Sequence, residues 1–119
     1  VVREIAVTCQ IDVEQCDGEV AKFYTAKIVK ARRPHRCIEC HQEIVPGEQY
    51  ELVKGMWDGR IDTISTCSIC LEVRKAFFCT WMHGCMWEDF GSWAEEDDFE
   101  LSALNGLSRQ AIDMISEHL

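Results

Sequence analysis

Two short segments, Cys37-Ile38-Glu39-Cys40 and Cys67-Ser68-Ile69-Cys70, constrain this chain more than any other feature. A two-residue gap lets both thiols of a pair reach one ion from a single backbone knuckle. Residues 41–66 separate the pairs and read as a β-hairpin, which would fold the second pair back onto the first. Four thiolates gathered this way make a closed tetrahedral zinc site with no position left for a substrate. The expectation is therefore one structural Zn2+ held by Cys37, Cys40, Cys67 and Cys70. Disulfides or an iron centre are the alternatives, since softness and tetrahedral geometry do not separate zinc from iron. The pair spacing favours a metal, and the opening Val1-Val2-Arg3-Glu4 carries no secretory h-region, which favours a reducing compartment.

Other soft ligands lie close by. His35 and His41 flank the first pair and are candidate substitutes, but four cysteines already complete the shell. Cys79, His83 and Cys85, with Cys9 or Cys16, suggest a second metal site. Their irregular spacing and apolar neighbours Phe77-Phe78 and Met86-Trp87 fit small buried hydrophobes better.

The elements follow from periodicity. Residues 22–30 alternate loosely and read as a strand that Pro34 ends. Pro46-Gly47 is a turn, followed by strands at 49–57 and 60–66. Asp58-Gly59 between them signals a type I′ hairpin. Ile69, Val73 and Phe77 recur every four residues and predict a helix capped by Thr66 or Ser68. Cys67 and Cys70 would then sit at its first turn, where backbone N–H groups favour thiolates. A second amphipathic stretch covers Met86–Ala94, with Trp87, Phe90 and Trp93 on its apolar side. A last helix starts near Ser108, with a Leu107/Ile112 staple and a stripe of Ile112, Ile115 and Leu119. The fold class is α+β, a zinc-stabilised domain over 1–100 with its four-cysteine core at 22–80. Residues 101–119 form a helical extension packed on it. Knuckle, hairpin and helix in this order resemble a treble clef, although a zinc ribbon has the same spacing.

Charge separates candidate surfaces. Acids number 21 against 12 bases, for a formal charge of −9. Nonspecific affinity for nucleic acid comes mostly from Lys and Arg at phosphates, so the balance disfavours it. Lys27, Lys30, Arg32, Arg33 and Arg36 nevertheless cluster before the first knuckle. Glu88, Asp89, Glu95, Glu96, Asp97 and Asp98 form an acidic run without a base. No apolar run approaches the ~20 residues that span a bilayer.

Catalysis finds little support in these residues. A nuclease centre on such a scaffold needs a His base and hard-cation ligands. Between the pairs only His41, Asp58 and Asp62 come near that description, and Asp58 is spent on the turn. There is no nucleotide-binding glycine loop, nucleophile elbow or His-Glu-x-x-His.

The segments Ala31-Arg32-Arg33-Pro34-His35-Arg36-Cys37-Ile38-Glu39-Cys40, Ile44-Val45-Pro46-Gly47-Glu48-Gln49-Tyr50-Glu51, Trp57-Asp58-Gly59 and Thr66-Cys67-Ser68-Ile69-Cys70 resemble a group of small phage and prophage proteins. So does the later Phe78-Cys79…Gly84…Trp87-Glu88-Asp89 run. The resemblance covers residues 9–91. It implies a mobile-element origin, a bacterial cytoplasmic location and a single structural zinc, and it singles out His35, Glu39 and the Trp57-Asp58-Gly59 turn.

Two functional expectations follow. The first is a non-enzymatic protein that binds and inhibits a host protein complex, such as a CRISPR effector or a restriction system. Its contact would be the acidic run with Trp87 and Trp93 as anchors, an acidic surface suiting the basic channels of nucleic-acid-handling complexes. The alternative is a nucleic-acid-binding zinc module, in which Lys27, Lys30, Arg32, Arg33 and Arg36 meet phosphates and Tyr24 stacks on a base.

Overall fold

A computed structural model describes residues 11–12, 23–57, 59–81, 83–96, 99 and 101–118. The element order is β1 (Ile11–Asp12), β2 (Phe23–Lys30), β3 (His35–Arg36), β4 (Glu43–Ile44), β5 (Gln49–Trp57), β6 (Arg60–Cys67), α1 (Ser68–Phe77), β7 (Phe78–Thr80), α2 (Met86–Glu96), a 3-10 turn (Leu101–Leu104) and α3 (Arg109–His118). The class is α+β, as expected.

The central sheet is antiparallel, in the order β2-β5-β6. Its hairpin closes with Trp57 opposite Arg60, so two residues make the turn. Gly59 there has φ of 75°, a conformation open to glycine at little cost. Asp58 lies outside the described residues. The β3–β4 ribbon carries the first cysteine pair, and β1 runs parallel to β7. Neither two-residue pairing was expected, because such short strands leave no periodic trace.

Helix α1 buries Cys70, Leu71, Val73, Arg74 and Phe77 among the sheet and the other helices. The expected face shared Val73 and Phe77 with it, while Ile69 is only partly buried. Helix α2 buries Met86, Trp87 and Phe90. Phe77, Phe90, Trp93 and Phe99 form an edge-on aromatic cluster with ring centroids 5.1–6.4 Å apart.

The last helix docks on this core. Ser108 caps α3 by accepting from the Ala111 N–H at 3.1 Å. Ser108 in turn donates its own N–H and hydroxyl to Glu72 of α1, both at 2.7 Å. The buried face of α3 is Ala111, Met114 and Ile115. This face replaces the expected Ile112-Ile115-Leu119 stripe. Ile112 is half-buried, and Leu119 lies outside the described residues. Docking onto α1 places the contact on the Ala111, Met114 and Ile115 side of the helix. His118 stacks on Trp87 with centroids 4.2 Å apart.

One buried ion pair ties helix to sheet. Arg74 Nη2 of α1 donates to Glu51 Oε2 of β5 at 2.7 Å. The guanidinium also lies over the Trp81 ring, 4.2 Å from its centroid.

Candidate metal centre and basic concavity

The ligating atoms of Cys37, Cys40, Cys67 and Cys70 all lie within 4.8 Å of one another. The Cys40 and Cys67 sulfurs are 3.8 Å apart, and all four cysteines are free thiols. A tetrahedron with metal–sulfur bonds of about 2.3 Å has edges of about 3.8 Å, so the spacing fits one ion of that size. This is the only such cluster among the described residues.

The local backbone explains the convergence. Residues 37–40 turn so that the His41 N–H donates to the Cys37 carbonyl at 2.9 Å, and the Cys37 N–H to the Gln42 carbonyl at 3.0 Å. His41 sits at φ of 65° to close this loop. Arg36 Nη1 donates to the His41 carbonyl at 2.6 Å and braces it. The Ile38 N–H then joins the knuckle to the Ser65 carbonyl of β6 at 2.8 Å. Across the site, Cys67 is itself the N-cap of α1, its sulfur accepting from the Cys70 N–H at 3.4 Å. This corrects the expected Thr66 or Ser68 cap: a cysteine sulfur performs both tasks, and Thr66 is fully buried in β6.

Further N–H groups converge on the sulfurs. Cys37 Sγ accepts from Glu39 N at 3.4 Å and Cys67 N at 3.3 Å. Cys70 Sγ accepts from Trp87 Nε1 at 3.3 Å. Such donors spread thiolate charge into the protein and hold each ligand in place. The close packing of the four sulfurs divides their protons unevenly. Hydrogen bonds from Cys40, Cys67 and Cys70 hold Cys37 far below the ordinary thiol value. The contacts with ionised Cys37 and with Cys40 push Cys67 and Cys70 well above it. A metal must therefore displace protons, and its binding is favoured by rising pH.

The histidines lie elsewhere. His35 Nε2 meets Tyr50 Oη at 3.3 Å with the rings 4.8 Å apart, and the His41 side chain is exposed. Cys79 and Cys85 are each disulfide-bonded. They are neither the isolated buried thiols nor the second-site ligands considered from sequence. A disulfide is disfavoured in a reducing cytosol. Cys9 and Cys16 lie outside the described residues. Among those residues no helix is long and apolar enough to cross a membrane.

Glu39 was singled out as a position to test for function, and its surroundings assign it a structural task. It is buried between the two knuckle ligands, with Oε2 accepting from Gly84 N at 3.0 Å and Oε1 from Met86 N at 3.1 Å. Met86 opens α2, so a side chain of the first knuckle caps the second helix.

The two charged surfaces fare differently. Glu88, Glu95 and Glu96 are exposed on α2, and Asp89 is partly covered. Burial, and then the charge of Glu88, raises the Asp89 carboxyl above its usual value. Asp97 and Asp98 lie outside the described residues. Trp87 is enclosed, bonded to Cys70 and stacked on His118, so it cannot serve as a surface anchor. Trp93 is drawn into the aromatic cluster.

On the other side, Lys27, Lys30, Arg32 and Arg33 surround a concavity of about 770 Å³. Val29, Leu52, Tyr50 and His35 complete its lining. All four cationic residues are exposed. Arg36 is absent from this lining because its guanidinium is spent on the knuckle. The Tyr24 side chain lies outside the described residues. Sequence reasoning missed His35 and Tyr50 here, since Tyr50 reaches the basic segment only through the β2–β5 register, which sets it opposite Val29.

No protein-family model, curated protein or solved structure matches the chain. The functional reading therefore rests on these residues alone.

Proposed function

We propose that this chain is a zinc-stabilised, non-catalytic nucleic-acid-binding module of treble-clef type, and that its binding surface is the basic concavity. The observation that carries this reading is the convergence of Lys27, Lys30, Arg32 and Arg33 around one recess, despite a whole-chain charge of −9. Cations brought together locally attract phosphates even on an acidic protein, because screening confines the field to about 10 Å. The zinc assignment rests on four sulfur donors at tetrahedral spacing. A shell of four cysteines leaves no coordination position for a substrate, which supports a structural role.

The direct test is a mobility shift with the metal-loaded protein at low and moderate salt. Binding that weakens steeply with salt supports the reading, and no retardation at low salt refutes it. Metal analysis should give one zinc per chain. Strong chelation should then unfold the centre, since structural zinc contributes about 10–16 kcal/mol of apparent binding free energy that is also folding free energy. An unchanged circular dichroism spectrum after verified zinc removal would refute the structural role.

The acidic-surface reading stands second, because Glu88, Glu95 and Glu96 remain exposed on one helix. In that reading a phage-type protein covers a basic host complex, without Trp87 as an anchor. Glu95→Lys with Glu96→Lys should then abolish inhibition of that complex, and unchanged inhibition would exclude it.

A further inference from the structure

We infer that the basic concavity is built for unpaired nucleotides, seating a base on Val29 and Leu52 while the surrounding cations hold the flanking phosphates. This rests on the nucleic-acid reading above and specifies its ligand. The β2–β5 register sets Lys27 opposite Leu52 and Val29 opposite Tyr50, so charge and apolar surface alternate across two paired strands. Val29 and Leu52 are half-buried, and so retain surface toward the recess. The Tyr50–His35 ring pair closes one side and is itself held by the 3.3 Å hydrogen bond.

Cations alone would suit any polyanion. The apolar floor adds selectivity. A duplex keeps its base faces stacked inside and offers only phosphate and groove edges, so it cannot cover Val29 and Leu52. A free strand can turn a base out and cover these aliphatic side chains, so that apolar burial adds to the cationic contacts that track its backbone. The recess volume of about 770 Å³ is large enough for a base with its sugar and neighbouring phosphates. A bare phosphate would leave the floor wet.

The test compares three fluorescein-labelled probes on the metal-loaded chain by anisotropy. They are a short oligothymidylate, an abasic strand of equal length and charge, and a duplex of equal length. The oligothymidylate should bind roughly tenfold tighter than either of the others, the effect of covering the exposed part of two aliphatic side chains. Its affinity should fall with a log–log salt slope of roughly −3 if four cations meet phosphates. Arg32→Gln with Arg33→Gln should make that slope shallower by roughly 1.5. Val29→Thr with Leu52→Thr keeps strand-favouring residues and should remove the preference over the abasic strand while keeping the slope. An abasic strand or duplex that binds as tightly as the oligothymidylate overturns this inference and leaves the nucleic-acid reading intact. Failure of all three probes at low salt overturns both.

Discussion

Glu39→Gln isolates the link between the metal knuckle and helix α2. The carboxylate of Glu39 is buried and each of its oxygens accepts one backbone N–H, from Gly84 and from Met86. Glutamine keeps the length but has one oxygen, so one N–H would face an amide NH2 group. A hydrogen bond to a charged acceptor contributes about 1.5–3 kcal/mol, and a buried N–H left without a partner adds a further penalty. Against this, the neutral amide relieves the desolvation of a buried carboxylate. That relief is real, because burial raises the Glu39 carboxyl above its ordinary value even though both N–H bonds lower it. The net expectation is a loss of about 2 kcal/mol, balancing the terms above. For a chain of this size that corresponds to a fall of roughly 6–10 °C in Tm.

Thermal unfolding followed by circular dichroism measures it, with zinc content checked before and after. Linkage gives a second signature. A carboxyl raised in the folded state contributes stability that is complete below its unfolded value of 4.5 and is lost as pH climbs through the elevated folded value. Glutamine does not titrate, so the wild-type advantage should narrow as pH rises through that window. A Tm within about 1 °C of wild type, with a difference that does not vary with pH, would refute the clamp.

Three further outcomes follow from the same contacts. Arg74→Met strands the buried Glu51 carboxylate and should cost about 3–5 kcal/mol in denaturant unfolding, whereas adding Glu51→Leu should restore most of it. A single variant as stable as wild type would show that the pair is not held as described. Trp87→Phe keeps the ring but removes the N–H on Cys70 Sγ, and should weaken zinc about 10–100-fold in competition with a chromophoric chelator. Equal zinc affinity would dismiss that bond as a contributor. At position 41 the backbone has φ of 65°, so His41→Gly should be more stable than His41→Val by about 1–2 kcal/mol. Equal melting of the two variants would mean that the knuckle adopts another conformation.

The four-cysteine cluster, the hairpin and the amphipathic helices were legible in the chain because their signals are local. Cys-x-x-Cys needs only one tight turn, Asp58-Gly59 only two residues, and a helical face only a few turns of periodicity. What these signals left open were partners across the fold. Glu39 reads as an ordinary knuckle residue until Gly84 and Met86, 45 and 47 positions away, are brought to it. Periodicity favours a core place for Trp87 over an anchor role, but its partner Cys70 is known only once α2 lays the two together.

Spacing and periodicity by themselves determined the four-sulfur cluster and the α+β frame around it, since both follow from short-range geometry that backbone stereochemistry imposes. Tertiary packing alone decided that α2 hangs from the knuckle through Glu39 and that the Ser108 cap of α3 is held by Glu72. It also laid Trp87 against Cys70 and gathered Tyr50 with the basic segment around one recess. These outcomes depend on which surfaces exclude water together, and that is a property of the whole folded chain.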